Sequence, residues 1–404
     1  MHYDIAVIGG GAAGFFAAIH AAENSNKKVV IFEKTAKILS KVAISGGGRC
    51  NVAHDCYKPG ELVKNFPRGG KKLYKSFEQF STEDTLNWFR ERGISFKTEE
   101  DGRIFPVSDD SSTITSALIE AAQNAGVDIF TKKEINLIDF SDSEYHLGSK
   151  DGDNYTSSKV IITPGGHSKD KFYQWLESLG LKIEKPIPSL FTFNVPDSGL
   201  TDLQGVSVPY GKVKITGSRQ QQDGPILITH WGFSGPAVIK LSAWAAKELH
   251  ECNYHFDFLL NWCGLEDTAL NQEITGLKEN HPHKKVSSLP IKSIPRRLWQ
   301  RLCQKAGINE EDRFTDLKGK KLNRLIEHLL RDPYKAQGKT TYKEEFVTAG
   351  GVSLNEVNLK TFESKKFSGL YLAGEVLDVD GVTGGFNFQH AWTSGYLAGI
   401  NAAK

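Results

Sequence analysis

No run of eighteen apolar residues occurs in the 404-residue sequence, so nothing in it reads as a membrane-spanning helix. Cysteine is scarce. The five present (Cys50, Cys56, Cys252, Cys263 and Cys303) are an odd number at irregular spacing. That argues against a disulfide framework and against a CxxC zinc site, and no metal site is expected. A reducing, cytoplasmic setting is the simplest expectation. Internal repeats and low-complexity tracts are absent. The first strand begins by Tyr3, which on this reading leaves no room for a signal peptide. Net charge is also small, +2, and composition is that of a globular protein, 39% hydrophobic and 24% charged.

The length implies two or three domains. "YDIAVIGGGAAGFFAAIHAAE" reads as an apolar strand, a Gly-rich turn and an Ala-rich helix, and "KVVIFEK" as a second buried strand, together a βαβ unit. Ser81 and Ser111 read as N-caps of the helices "TEDTLNWFRERG" and "SSTITSALIEAAQNAG". Strands "VDIF", "KEINLIDF", "SEYHLGSK" and "SSKVIITPGG" follow, then the helical "SKDKFYQWLESLG". From about Phe191 to Asn261 short strands dominate, with turns expected at "YGK" and "QDGP" and one helix, "GPAVIKLSAWAAKELH". Residues from Leu265 to about Asp332 are helical and basic. "TTYKEEFVTAGG" turns extended again, "GLYLAGE" is a buried strand and "NFQHAWTSGYLAGINAA" a closing helix. The expected architecture is α/β: a Rossmann-like dinucleotide domain (1–188 and 340–404) interrupted by an inserted β-barrel (189–264) and a basic helical subdomain (265–339).

Gly9, Gly11 and Gly14 form G-x-G-x-x-G. The first permits the tight turn, the second admits a pyrophosphate, and the third lets helix and strand pack closely. The phosphates then meet the positive N-terminus of the following helix. Glu33 ends the next strand, where a carboxylate holds ribose hydroxyls. The C-terminal stretch selects the dinucleotide. It carries a strand ending in Gly374-Glu375 and a glycine pair, Gly384-Gly385, opening a helix, a second site that a flavin needs and a nicotinamide does not. Glu375 suits the ribityl chain. Phe386 and Asn387, at the helix start, would direct N–H groups and dipole at the pyrimidine edge. Ala13, inside the first turn, and Ile135, on the strand "KEINLIDF", complete the candidate FAD contacts, with Lys34 and Lys41 near the adenosine or diphosphate and Thr163 in "TPGGHS" where backbone passes the cofactor.

In order along the chain stand "VIGGGAAG", "GGGRCN", "THWGFSGPA", "VTAGGVSLNEV", "TFESK" and "GLYLAGEVLDVDGVTGGFNFQHAWTSG". This series resembles the BaiN-like family of NAD(P)/FAD-dependent oxidoreductases, flavoproteins related in fold to succinate dehydrogenase and fumarate reductase. The resemblance covers nearly the whole chain. It implies a discontinuous FAD domain with an inserted barrel and helical subdomain. The activities linked to the family are reduction of conjugated C=C bonds in bile-acid-like steroids, oxidation of a small amine, and reduction of a uridine in ribosomal RNA. The acceptor is thus a small molecule or an RNA, with NAD(P)H as the transient electron donor.

"GGGRCNVAHDC" puts a glycine run before two cysteines. Disulfide reductases place four residues between their paired cysteines on a helix. Here there are five, which on an ideal helix sets the side chains on faces about 120° apart. A second G-x-G-x-x-G and a C-terminal His-Glu pair are also missing. The glycines are the better functional feature: Gly46, Gly47 and Gly48 carry no Cβ and can lie flat against a flavin. Cys50 and Asn51 then come near its reactive edge and Arg49 near the phosphates or the substrate. Cys50 is either a proton donor or a small buried thiol; Cys56 is incidental. His230, in "THWGFSGP", is a further candidate on the substrate side, or a structural histidine at a strand end. Reductase and oxidase both stay open, as does an RNA-binding protein carrying a structural flavin.

Charge is unevenly spread. From His281 to Thr340 fifteen Lys/Arg stand against six Asp/Glu, a local +9 in a chain of +2. Arg296, Arg297, Arg301 and Lys305 fall mostly on one side of a helix with Trp299 close by, and Lys318, Lys320, Lys321 and Arg324 form a second cluster. Such clusters neutralise phosphates and an adjacent aromatic stacks on a base, so RNA binding through this segment is one expectation; two solvated helix faces are the other.

Overall fold

The computed structural model describes residues 1–291, 293–340 and 347–404. The chain forms two compact units, residues 1–189 with 343–404 and residues 190–342. Among the described residues no helix is long and apolar enough to cross a membrane.

The first unit is built on a parallel sheet in the order Leu370–Leu372, Asn154–Ile162, His2–Ile8, Val29–Phe32, Asp128–Phe130. The central strands are apolar and almost wholly buried, as a parallel sheet covered on both faces requires. An antiparallel hairpin, Ile135–Ser141 with Glu144–Ser149, extends from Asn154–Ile162. The C-terminal segment therefore supplies the strand on the far side of Asn154–Ile162 and the closing helix, Phe386–Ala402. That helix lies directly on the helix Ala12–Glu23. A Cβ added at Gly395 would come within 2.6 Å of the Ala13 carbonyl oxygen, and one at Gly399 within 2.4 Å of that of Ala17, so only glycine permits this approach.

Ser81 caps the helix Thr82–Arg90, its N–H and hydroxyl both donating to the Asp84 carboxylate at 2.7 and 2.9 Å. Ser111 does not cap the helix Ser112–Asn124 as its sequence position predicts. Its hydroxyl donates to the Ala43 carbonyl at 2.6 Å, and Asp110 instead accepts the Ser112 N–H at 2.8 Å.

The second unit is a seven-stranded sheet in the order Asp332–Gln337, His255–Asn261, Ser207–Ile215, Gln221–Thr229, Gly232–Ser234, Thr192–Asn194, Lys339–Thr340. "YGK" and "QDGP" are not turns. They lie within the strands Ser207–Ile215 and Gln221–Thr229, where the register shifts between Val208 and Gly211, and the chain reverses at residues 216–220. A Cβ at Gly211 would strike Ile226 at 2.3 Å, so the glycine is there for cross-strand packing. The helix expected over "GPAVIKLSAWAAKELH" breaks at Ala245 into Pro236–Trp244 and Ala246–Glu251. Helices Asp267–Asn280, Arg296–Lys305 and Gly319–Leu330 pack on the sheet, and one core joins Phe193, Phe233 and Trp262 of the strand region to Leu270, Trp299 and Leu325 of the helices. The extended reading of "TYKEEF" lies outside the described residues.

At the centre of this unit Asp332 is fully buried and accepts from four groups. Trp262 Nε1 (3.0 Å) and the Tyr334 hydroxyl (2.5 Å) reach one oxygen; Lys305 Nζ (2.6 Å) and His328 Nδ1 (2.8 Å) reach the other. A buried carboxylate persists when its lone pairs are satisfied in this way.

Candidate functional site

The predicted dinucleotide residues converge in the first unit. Gly9 has φ +115°, and a Cβ there would sit 2.2 Å from the Thr163 carbonyl oxygen. Thr163 locks the two turns together, its hydroxyl donating to the carbonyls of Ile8 and Gly9 at 3.1 and 3.0 Å. A Cβ on Gly14 would lie 1.9 Å from the Gly9 carbonyl oxygen, which is the close helix–strand packing this position demands. At Gly11, by contrast, an added Cβ meets nothing within 4 Å, so this face of the turn is open. Gly11 is the N-cap of Ala12–Glu23 and no side chain caps that helix.

Glu33 accepts the Gly10 N–H at 2.9 Å and the Thr35 N–H at 2.8 Å, one on each oxygen. The segment leading to Ile135 lies alongside, Lys133 N–H donating to the Glu33 carbonyl at 2.8 Å. Lys34 sits 4.9 Å over the Phe172 ring, on which His167 is stacked. Burial, and then Lys34, Lys169 and Lys41, hold the His167 pKa below its ordinary value.

The glycine run ends the segment Ser40–Gly48, which is helical only at its start. Ser45 turns extended (ψ 149°), and Gly46, Gly47 and Gly48 follow with φ of +59°, +71° and +86°. A Cβ at Gly47 or Gly48 would meet nothing within 4 Å, whereas one at Gly46 would meet Phe105. Arg49 is engaged: its guanidinium lies 4.0 Å over Phe105 and donates to Glu99 at 2.6 Å, with Asp109 at 3.6 Å. Cys50 is fully buried with φ +61°, and burial pushes its thiol up to about 12, a hydrogen bond with Ser45 offsetting part. Cys50 and Cys56 are both free thiols. The intervening chain is no helix but includes the short strand Ala53–His54, so helix faces do not describe the pair.

Gly374 (φ +76°) begins a turn that holds Glu375. This carboxylate takes Lys41 Nζ at 2.7 Å and the Thr348 N–H at 2.9 Å. Gly385 (φ +94°) is the N-cap of Phe386–Ala402, again without a capping side chain. The Asn387 carboxamide is fastened to Gly381, accepting its N–H at 2.8 Å and donating to its carbonyl at 3.0 Å, so Asn387 offers backbone rather than side chain. The Phe386 ring lies 4.6 Å from that of His54, tilted by 31°, and His54 Nδ1 is 3.1 Å from the Gly384 carbonyl oxygen.

Sequence reasoning missed four residues here. Thr348 is fully buried and its hydroxyl has no partner among the described residues, although its N–H is bound to Glu375. Arg68 pairs with the buried Asp380 through both carboxylate oxygens, and Ser189 donates to the same carboxylate at 2.6 Å. The "VTAGG" and "DVDG" motifs carry Thr348 and Asp380; nothing local marks Arg68.

His230 lies in the second unit, exposed beside the strand Gly232–Ser234, its ring 4.3 Å from Trp231. Three cations of the basic helix Arg296–Lys305 are held by protein groups. Arg297 and Arg301 both bond Asp202, Arg301 also the Gly199 carbonyl, and Lys305 bonds Asp332. Trp299 is fully buried and donates to the Val286 carbonyl at 2.7 Å. It is therefore not a stacking platform, because its apolar ring completes the core. In the second cluster Lys321 pairs with Asp312, while Lys320 and Arg324 share the outer face of Gly319–Leu330. Among the described residues no group of His, Cys, Asp and Glu is arranged to hold a metal ion.

The chain is 27% identical to the ribosomal RNA dihydrouridine synthase of Haemophilus influenzae over 410 residues, covering 98% of each chain. It is 29% identical to the 3-dehydro-bile acid delta(4,6)-reductase of Clostridium scindens over 413 residues, covering 99% of each. Among solved structures, the open conformation of a flavocytochrome c3 fumarate reductase shares the fold, with a TM-score of 0.53 at 17% identity over 100% of this chain and 78% of that one. With a family match that runs from residue 3 to residue 401, the chain belongs to the HI0933-like protein Rossmann domain family, a family of FAD-dependent oxidoreductases.

Proposed function

We propose that this enzyme binds FAD along the first unit, draws electrons from NAD(P)H and reduces an electron-poor C=C bond, the acceptor being a uracil of ribosomal RNA. The observation that carries the cofactor assignment is a pair of glycine-capped helix starts, Gly11 and Gly385, neither with a capping side chain, and at Gly11 an added Cβ would meet nothing within 4 Å. Free N–H groups at a helix start suit the diphosphate at the first and the pyrimidine edge at the second. The unpartnered Thr348 hydroxyl beside Glu375 suits a polyhydroxyl chain. When bound, FAD supplies the two-electron chemistry, taking hydride from a reduced nicotinamide and giving hydride, with a proton, to the acceptor.

The protein's own part is binding and orientation. Gly47 and Gly48 present backbone to the isoalloxazine. Glu33, already aligned by Gly10 and Thr35, holds ribose hydroxyls through its remaining lone pairs. Cys50 stays a neutral thiol at working pH, which leaves it no thiolate for attack. With a single G-x-G-x-x-G the chain has no separate nicotinamide domain, so NAD(P)H enters from solvent and leaves before the acceptor binds. The RNA acceptor is favoured by the dihydrouridine synthase relative and by the outward cations Lys320 and Arg324.

The test is anaerobic bleaching of the purified yellow protein by NADH or NADPH, followed by an unmodified ribosomal RNA transcript. Reoxidation of the flavin with a two-hydrogen mass gain on a uridine is expected. Rapid reoxidation by air with no change in the RNA would replace the reductase by an oxidase.

A further inference from the structure

Asn51 was a catalytic candidate by sequence, but its surroundings give it different work. It is buried, and in the orientation its partners require its carboxamide oxygen accepts the Gly385 N–H at 3.0 Å. Its amide nitrogen donates to the carbonyls of Ala53 at 2.9 Å and Ile104 at 3.3 Å. Both amide hydrogens and the carboxamide oxygen are thus engaged with backbone. They join three separate pieces: the loop after Gly46–Gly48, the sheet of Ala53–His54 with Arg103–Pro106, and the start of the closing helix.

The closing helix is held at one point and left free at the next. Gly385 is pressed onto the strand Ala53–His54, for a Cβ there would lie 2.6 Å from the Ala53 carbonyl. The bond from the Gln389 N–H to the Gly385 carbonyl, 2.9 Å, is the first of the helix, so the amides of Phe386, Asn387 and Phe388 precede its ladder. With Gly385 N–H taken by Asn51, those three amides are the ones left to a ligand.

We infer that Asn51 is a positioning residue: it clamps Gly385 so that the free amides of Phe386–Phe388 meet the flavin's pyrimidine edge, and it keeps that edge free of a competing charge. The inference rests on the FAD reading of the preceding section. It also explains why an amide stands at position 51. A carboxylate would accept the Gly385 N–H equally well but would repel the Ala53 and Ile104 carbonyls, and it would place negative charge beside the helix end that stabilises the reduced cofactor.

Two measurements test this. In the wild-type protein, amide hydrogen exchange should find the Gly385 N–H protected with and without FAD, and the Phe386 and Asn387 N–H groups protected only when FAD is bound. In Asn51→Asp the reduced flavin should be held about tenfold less tightly relative to the oxidised form, a midpoint potential lower by about 30 mV for a two-electron couple. The gap should close as acid neutralises the introduced carboxyl and restores a donor. A merely structural role would lower the urea midpoint and leave the potential alone. An unchanged potential in flavin-loaded Asn51→Asp, or a freely exchanging Gly385 amide in the wild type, overturns the inference; should Asn51→Asp fail to fold, the wild-type exchange decides. A wild-type chain that takes up no FAD overturns the functional reading instead, while Gly385 protection still reports on the clamp.

Discussion

Acid should weaken the first unit through two histidines. His20 lies among aromatic rings, Phe16 at 4.7 Å and Tyr396 at 4.8 Å, and its Nε2 has no hydrogen-bond partner among the described residues. Burial, with Arg92 adding to it, pushes its pKa down to about 3. His390 is buried between Phe66 and Phe362, and burial brings it down to about 4, a backbone hydrogen bond with Gly374 offsetting part. In the unfolded chain both titrate near 6.5. Between pH 6.5 and the folded values the unfolded state binds more protons, so stability falls as pH falls, from 6.5 to about 4 for His390 and on to about 3 for His20. At about pH 5 the unfolded histidines are almost fully protonated and the folded ones almost not. Relative to about pH 7 each then costs about 2 kcal/mol, about 4 kcal/mol together, a large share of a typical folding free energy. The assay is the urea midpoint by circular dichroism at neutral pH and at about pH 5, on the wild type and on His20→Leu/His390→Leu. The double variant removes both titrations and should lose most of this pH dependence. An equal drop in both proteins would refute the reasoning, because the carboxylates common to both would then account for all of it.

Gly14→Val should abolish FAD uptake, read as loss of the yellow colour, since any Cβ there meets the Gly9 carbonyl oxygen at 1.9 Å; a variant with one FAD per chain would contradict the assignment of this turn. Cys56→Ser should leave flavin reduction near wild type without a charge-transfer band, and a thiol reagent should label the exposed Cys252 while sparing the buried Cys50 in the native protein. Charge reversal at Lys320 and Arg324 should weaken binding of a ribosomal RNA fragment and flatten its salt dependence by about 0.9 in log–log slope for each phosphate no longer neutralised, with NAD(P)H oxidation untouched; salt-independent RNA binding would exclude this face.

The glycine turn, the strand–helix alternation and the C-terminal return were legible because each rests on a local demand. Gly9 and Gly14 are fixed by steric contacts that no other residue survives, and the apolar strands by burial on both faces. The shape of the glycine run was not legible, since three successive left-handed residues follow from tertiary fit. Side-chain partners were the least legible. Arg49 and Glu375 were expected to reach a ligand, yet each holds a group distant in sequence, Glu99 and Lys41. Periodicity placed Arg297, Arg301 and Lys305 on one helix side but gave no warning that Asp202 and Asp332 wait there. "YGK" and "QDGP" show the same limit, because turn-forming residues sit inside a strand wherever a register shift or a bulky neighbour such as Ile226 asks for them.

The buried carboxylate of Asp332 has a consequence for anyone cutting or grafting this chain. Its four donors come from two helices, from its own strand and from the end of another, at positions 262, 305, 328 and 334. Removing Lys305, its charged partner, would leave the buried carboxylate under-compensated, a loss that typically destabilises by about 3–5 kcal/mol. A transplantable fragment must therefore carry residues 262 to 334 whole. Trimming the basic helices away to leave a bare sheet would remove the lysine and histidine that make the carboxylate tolerable, and a donor protein lending only its helices would bring cations with nothing to neutralise them.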